Sequence, residues 1–365
     1  AGRDFDAEYS MNIVRLRLDI DDSLNPDGLE PESWRPVPIN TAVSIADENG
    51  NGGAPKRIKV STRPSSIHLI PDSEMTIQQA VDSVIDGGEI RLASGVYGGA
   101  GNVDIRITRP VRIIGDGPSG TCVIDGGGVS GGFYIDAVDS PGVTLKNITV
   151  RNCYRLAAGG AVFSRAGDVF LQDVDIHDCG SFFSGGAIGI FDTDMVYVTG
   201  AVTDCFAAMT GGAVSNIWQG NFHCQDVEFT GNTSYQYGGG IYDSETHTWC
   251  ADCRFRDCHS LMGGGVSARL SCTLRLENCF FEENSAGIYG GGVYYNISMW
   301  YLCDTNSIHC LNGTFRNNSA GGGAVASAGG AIMCTYSPDT AVIENSILWG
   351  NSADTGSQFA FIGTG

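Results

Sequence analysis

Two aspartates one residue apart, Asp192-x-Asp194, offer carboxylate oxygens of the kind that hold Ca²⁺. Asp173, Asp226 and Asp252 recur along the chain, and a pair of carboxylates facing each other across a groove is what glycoside hydrolysis requires. The plainer reading of all five is structural, as turn and column acids. No catalytic residue is therefore assigned and no cofactor is expected, with Ca²⁺ at Asp192 and Asp194 as the one ion to test for. The six histidines show no metal-ligand spacing; His223-Cys224 and His247-Cys250 set mixed donors near one another, but paired sulfurs explain them better.

What must position these groups is a pattern that returns eight times between residues 145 and 353. An apolar residue is followed, three positions on, by Cys or Asn: Val150/Cys153, Ile176/Cys179, Val202/Cys205, Phe229/Asn232, Phe255/Cys258, Phe281/Asn284, Phe315/Asn318 and Leu348/Asn351. The Cys/Asn steps are 26, 26, 27, 26, 26, 34 and 33 residues. Gly-Gly follows at Gly159–Gly160, Gly185–Gly186, Gly211–Gly212, Gly238–Gly240, Gly263–Gly265, Gly290–Gly292 and Gly321–Gly323, and an Asn or Asp precedes most instances on its own beat, as at Asn147, Asp173 and Asn278. The intervening stretches are β-rich (Val169-Phe-Leu, Val196-Tyr-Val, Leu274-Arg-Leu), which disfavours a helical solenoid. The pattern predicts an all-β, right-handed parallel β-helix of about 10–12 coils, stacked about 4.7–4.9 Å apart.

Stacking converts spacing into pairing. Cys224 with Cys250, and Cys253 with Cys279, are each 26 residues apart and are expected as disulfides between adjacent coils. Cys153, Cys179 and Cys205 share a third column, in which two can bond or all three can be buried thiols.

Thirteen cysteines and five N-x-S/T sequons, at Asn147, Asn232, Asn296, Asn312 and Asn317, point to a secreted or cell-surface setting. Asn296 and Asn317 are the better glycan acceptors and Asn312 a third candidate; Asn147, Asn232 and Asn312 fall in columns expected to face inward. A net charge of −20, with only three lysines, argues against nucleic acid and anionic membranes as partners. No apolar run is long enough to span a bilayer.

Residues 1–66 lack the repeat and read as an arm or small cap. Within it Val14, Leu16, Leu18 and Ile20 alternate with polar residues as one face of a strand, a candidate assembly surface. Residues 67–125 hold a capping helix and the first coils: Thr76 and Gln79 form a capping box, and Ile77, Ala80, Val81, Val84 and Ile85 make an apolar face ending at Gly87–Gly88. Strands follow at Glu89–Leu92, Val103–Ile107, Val111–Ile114 and Val123–Ile124. Residues 126–365 form the coil body, whose last segment, Ile347–Gly365, begins a coil without a polar cap, so that end is expected to continue or to be covered by a neighbour.

Thr76-Ile-Gln-Gln-Ala-Val-Asp82, Gly88-Glu-Ile-Arg-Leu-Ala-Ser-Gly-Val-Tyr97, Val111-Arg-Ile-Ile-Gly-Asp-Gly117 and Cys122-Val-Ile-Asp-Gly126 resemble the N-terminal coils of the pectin-lyase-like right-handed β-helix superfamily. Phe281-Glu-Glu-Asn-Ser-Ala286 and Phe315-Arg-Asn-Asn-Ser-Ala320 resemble repeats of chlamydial polymorphic outer membrane proteins and related extracellular β-helix proteins. The resemblance covers about residues 67–360 and implies the fold; that fold hosts lyases, hydrolases, esterases, adhesins and structural proteins. The catalytic patterns it would bring are missing: the coil body has no lysine after Lys146, no Gly-His-Gly, and its chain's one Asp-Asp, Asp21–Asp22, lies in the arm.

The expected function is a non-enzymatic structural or adhesive module, as part of an extracellular fibre or appendage, with self-association or other extracellular proteins as partners. The alternative is a polysaccharide-acting enzyme or carbohydrate-binding module, with Tyr237, Tyr242, Tyr294, Tyr295 and Trp300 as the residues that would stack on sugars.

Overall fold

The computed structural model describes residues 65–71, 74–137, 142–270, 273–296, 306–322, 325–335 and 340–362, and the backbone of Tyr9–Ser10 and Ile13–Val14. The chain divides into two compact units, Ala1–Thr62 and Arg63–Gly365. In the first, Tyr9–Ser10 and Ile13–Val14 pair antiparallel. The side chain of Val14, and Leu16, Leu18 and Ile20 altogether, lie outside the described residues.

The second unit is a parallel β-solenoid of about 11 turns. A first sheet runs from Ser66–Leu69 through Gly88–Leu92 and Val111–Gly115 to Thr340–Glu344. A second runs from Gly95–Gly98 through Cys122–Asp125 to Ile347–Trp349. In the middle coils one long strand serves both sheets, as in Val143–Arg151, Val169–His177, Met195–Thr203 and Asn221–Thr230. A strip of two- to five-residue strands follows, from Tyr154–Arg155 to Ser319–Ala320, and then a third sheet of ten strands from Ile105–Ile107 to Phe359–Ile362. All these strands pair in parallel with the coils before and after them.

Four corners recur at φ > 0; three are made chiefly by Asn, Asp and Gly, and the fourth, from the third sheet back to the first, by Asp192, Trp218, Glu245 and Leu270. Asn147, Asp173, Asp226, Asp252, Asn278, Asn312 and Asn345 turn the chain from the first sheet to the second at φ between 49° and 56°. Asn and Asp reach this left-handed region more readily than other side chains. The residue before the Cys/Asn column makes the next corner, as at Asn152, Asp178, Asp204 and Asn317. The first glycine of each pair makes the third, at Gly159, Gly185, Gly211, Gly238, Gly263 and Gly290. The seventh such corner is Gly329–Gly330, not Gly321–Gly323: Gly329 has φ +68° and hydrogen-bonds to Ala328's neighbours in the coil stack, whereas Gly321 and Gly322 sit in the extra residues of a longer coil.

The interior is columnar. Phe229, Phe255, Phe281 and Phe315 stack face to face at 4.8, 4.6 and 4.7 Å with ring planes within 8° of parallel. Beside them the Asn members of the Cys/Asn column lace coil to coil. Asn318 Nδ2 donates to Phe281 O (3.0 Å) and to Asn351 Oδ1 (2.9 Å), while its own Oδ1 accepts from Asn284 N (3.1 Å) and Nδ2 (2.9 Å). A buried amide with all these groups satisfied adds strength that an apolar residue cannot supply. The 34- and 33-residue steps leave this lacing in register.

The capping helix is present but shorter than expected, Ile77–Ser83. Thr76 and Gln79 make the reciprocal capping box, and Ile77, Ala80 and Val81 are buried. Val84 has left the helix (ψ 156°) and Ile85 is exposed.

Replacing Asn318 by Ala leaves Asn284 N–H and Phe281 O without their partner, and should cost on the order of 2 kcal/mol. Asn312→Gly, at an exposed corner with φ +56°, should cost less than about 1 kcal/mol. Thermal denaturation of the two variants beside the parent chain checks both.

Candidate functional site

The strongest surface constellation lies on the outer face of the third sheet. Strands here alternate, so Phe133 and Ile135 point in while Tyr134 and Asp136 point out. On successive coils the outward rings of Tyr134, Phe163, Phe191 and Trp218 touch in sequence, with centroids 5.2, 5.2 and 5.4 Å apart and geometry passing from tilted to edge-on. The line is diagonal. Phe163 lies in register with Gly189, and a Cβ there would stand 3.2 Å from the Phe163 ring. Glycine at that position lets the ring lean across to Phe191. Trp218 occupies a corner at φ +65°, where the same column holds Asp192 and Glu245. The corner itself is set by the solenoid; the unusual choice is an indole, 58% exposed, in a conformation that bulky residues avoid.

Three arginines close the Tyr134 end. The guanidiniums of Arg106, Arg155 and Arg165 stand 5.6, 5.7 and 5.9 Å from the Tyr134 ring centroid. They come from three different strands, in a chain with twenty more acidic than basic groups. Asp136 pairs with Arg165 at 3.0 Å and Arg106 at 3.8 Å, and Asp104 pairs with Arg155 at 3.6 Å. Three cations thus meet two carboxylates. Arg155 packs on Gly131, where any Cβ would collide with its Nε, and burial pulls its pKa below the ordinary value despite Asp104. An open cleft of 640 Å³ adjoins the cluster, lined by Gln78, Asp104, Asp125, Val129 and Ser130 among others. Half-exposed ring faces and a guanidinium cluster suit a saccharide chain, with C–H faces on the rings and oxygens on the arginines.

Of the tyrosines expected to carry sugars, Tyr242, Tyr294 and Tyr295 are on the same sheet and Tyr237 lies just before it, and they are mostly covered. Tyr295 points into the core at 1% exposure, and Tyr242 and Tyr294 are buried under Tyr237, Tyr289 and Met333. Tyr237 is half-buried with Arg269 stacked 4.1 Å from its ring. Trp300 lies outside the described residues.

The other candidates separate as follows. Asp173, Asp226 and Asp252 all make the first-to-second-sheet corner, in one column along the stack, and Asp252 Oδ1 accepts from Asn278 Nδ2 (3.0 Å). Asp192 makes another corner, while Asp194 Oδ1 accepts from Asn221 N (2.9 Å) and Nδ2 (2.7 Å). Among the described residues no three His, Cys, Asp or Glu gather as metal ligands. His223 and Cys224 point to opposite sides of one strand, so the mixed-donor arrangement does not form: His223 packs against Trp249 outside, and Cys224 is buried. Of the sequons, Asn317 and Asn312 are exposed, the latter against expectation because its corner turns outward; its Nδ2 donates to Asn278 Oδ1. Asn296 is half-buried with its amide on Thr335, and Asn232 is fully buried.

Every described cysteine is a buried free thiol, so the expected in-column disulfides Cys224–Cys250 and Cys253–Cys279 are not formed. Cys224 and Cys250 are in register on parallel strands, with parallel Cα–Cβ vectors. Their Cβ atoms therefore stay about 4.7–4.9 Å apart, beyond the roughly 3.5–4.5 Å a disulfide uses. The Cys153, Cys179 and Cys205 thiols each donate to a carbonyl two residues back in their own coil, at 3.3 Å.

Two features escaped the sequence reading altogether. One is a stripe of exposed apolar residues beside the short strip, Leu156, Phe182, Phe183, Met209, Tyr235 and Leu261, on five successive coils. The other is a 410 Å³ cleft on the second sheet containing Asp175, His177, Asp178 and Thr203. There Tyr197 Oη takes the Val174 carbonyl, and the Ala201 N–H turns to Asp175 Oδ1 (3.1 Å). Burial raises the pKa of Asp175, and His177 Nδ1 lies 2.8 Å from Asp178 Oδ2.

No protein-family model matches the chain, and no curated protein matches it. Solved structures similar to it include two of known source. The ORF18 protein of Geobacillus virus E2 aligns with a TM-score of 0.35 and 13% identity over 79% of this chain and 58% of its own, so this chain spans little more than half its length. The A-module of mannuronan C-5 epimerase AlgE6 from Azotobacter vinelandii aligns with a TM-score of 0.32 and 14% identity over 79% of this chain and 94% of that module. Likeness at this level places no residue.

Proposed function

We propose that this protein is a non-enzymatic, extracellular adhesive module that holds a glycan chain along its third sheet. The contiguous line Tyr134–Phe163–Phe191–Trp218, ending in three arginines, carries the reading. Each ring offers a face to a sugar, and the arginines donate N–H groups in a fixed fork to carboxylate or hydroxyl oxygens. The track needs no reacting group, which agrees with an adhesive rather than a catalytic role. The exposed sequons Asn312 and Asn317 agree with a secreted setting. Among the described residues no helix is long and apolar enough to cross a membrane. The apolar stripe from Leu156 to Leu261 supports self-association, since contiguous exposed apolar surface commonly marks a protein contact.

Calorimetric titration with a panel of neutral and acidic oligosaccharides tests the track. Phe163→Ala and Trp218→Ala should each weaken binding about tenfold, or about 1.4 kcal/mol. Tyr235→Ala, on another face, should leave it unchanged. Binding that ignores Phe163 and Trp218 overturns the reading. Sedimentation of a Phe182→Asp, Tyr235→Asp double variant tests the stripe: any oligomer of the parent chain should dissociate.

The Asp175 cleft favours a second reading, a polysaccharide-acting enzyme. A carboxyl raised by burial beside a histidine has the makings of an acid–base pair. Because the folded-state pKa of Asp175 lies above its unfolded value, folding binds the extra proton, and this residue's contribution to stability falls as pH rises through the folded pKa. Asp175→Asn should therefore abolish any depolymerising activity while leaving the protein as stable as the parent, or more so, above the carboxylate range. Reducing-end release and thermal denaturation read the two effects separately.

A further inference from the structure

We infer that oxidation closes the thiols of this solenoid diagonally, Cys224 to Cys253 and Cys250 to Cys279, and not within their columns. Cys224 lies on the first sheet just before the corner at Asp226, and Cys253 lies one coil on, just after the corner at Asp252. Their side chains enter the core from two different sheets and converge. The Cys224 and Cys253 sulfurs are 3.6 Å apart, across a sequence offset of 29. Cys253 Sγ also stands 3.6 Å from Cys224 O, and Cys279 Sγ stands 3.4 Å from Cys250 O at the same offset of 29, so the sulfur-to-carbonyl relation of the first pair is repeated a coil later. Convergent vectors are what disulfide geometry demands, and in-column pairs lack them.

The reaction is ordinary thiol–disulfide exchange with a small-molecule or enzyme disulfide donor. One thiolate of the pair attacks the donor, giving a mixed disulfide and releasing one donor thiol. The second thiolate attacks the sulfur of the first, forming the Cys224–Cys253 bond and releasing the other donor thiol. Two protein thiols are oxidised, one donor disulfide is reduced to two thiols, and the two protons pass to the donor. All four sulfurs are buried in the finished fold, so exchange runs while these coils are closing. A diagonal bond ties a first-sheet strand to the second-sheet strand of the next coil, fastening one corner to its successor.

The full chain, secreted through an oxidising compartment and alkylated on harvest without reductant, provides the test. Peptide mapping should find Cys224 linked to Cys253 and Cys250 linked to Cys279, with four fewer alkylated cysteines than in the same chain made in a reducing cytosol. Cys253→Ala should free Cys224 for alkylation and leave the Cys250–Cys279 link, and Cys279→Ala should do the reverse. Links between Cys224 and Cys250, or between Cys253 and Cys279, overturn the inference. So do links from any of the four to Cys272 or Cys303, or full alkylation of all four.

Discussion

Every part of this solenoid depends on one constraint: each residue must be compatible with its own copy one coil away. Parallel strands in register put like positions about 4.8 Å apart, so the side chains of successive coils touch. The columns are the residues that meet that demand. Phenyl rings meet it by stacking flat, asparagines by passing hydrogen bonds along the column, and small thiols by filling space. At the corners the same demand falls on the backbone, and asparagine, aspartate and glycine satisfy it with left-handed φ.

The surface track is made by slipping that rule. Tyr134, Phe163, Phe191 and Trp218 are separated by 29, 28 and 27 residues: Phe163 is in register with Tyr134, while Phe191 and Trp218 fall two and one residues later than the register partners of the ring before, Gly189 and Ile217. The result is a diagonal line of contacts rather than a column. It leaves each ring partly uncovered, whereas the tightly stacked phenylalanines of the core show no face to solvent. Gly189 supplies the gap through which the line changes column, and the arginines that end it come from coils whose acids, Asp104 and Asp136, only partly neutralise them.

That slip explains what the sequence could and could not disclose. Columns at a fixed period are legible, so the solenoid, the Cys/Asn beat and the first six glycine corners follow from spacing alone. The seventh glycine corner was misplaced because a longer coil offers two glycine clusters and only the hydrogen-bonded stack chooses Gly329 over Gly321. The aromatic track keeps no fixed period and is invisible to a search for one. Tyr242 and Tyr294 stand out in the sequence because tyrosines cluster after the glycines of successive coils, but the Tyr237 and Tyr289 rings pack against them, and Ala328 and Met333 join Tyr294 in an apolar cluster. Equal spacing also misled for the cysteines, since it reports distance between Cα atoms and says nothing of the direction in which sulfurs point.

The asparagine column has a consequence for how the coils move. From Asn232 to Asn351 the amides bond across coils, so opening one coil strips partners from the next. From Cys153 to Cys205 the column thiols donate chiefly to carbonyls of their own coil, so the column itself adds little between coils there. In a nearest-neighbour array this divides the solenoid into a laced segment that opens as a block and an earlier segment whose coils breathe singly. Phe163, Phe191 and Trp218 follow Cys153, Cys179 and Cys205 on their coils, and Tyr134 stands one coil earlier. The line of rings therefore stands on the coils that the column ties least, with the laced segment beyond it.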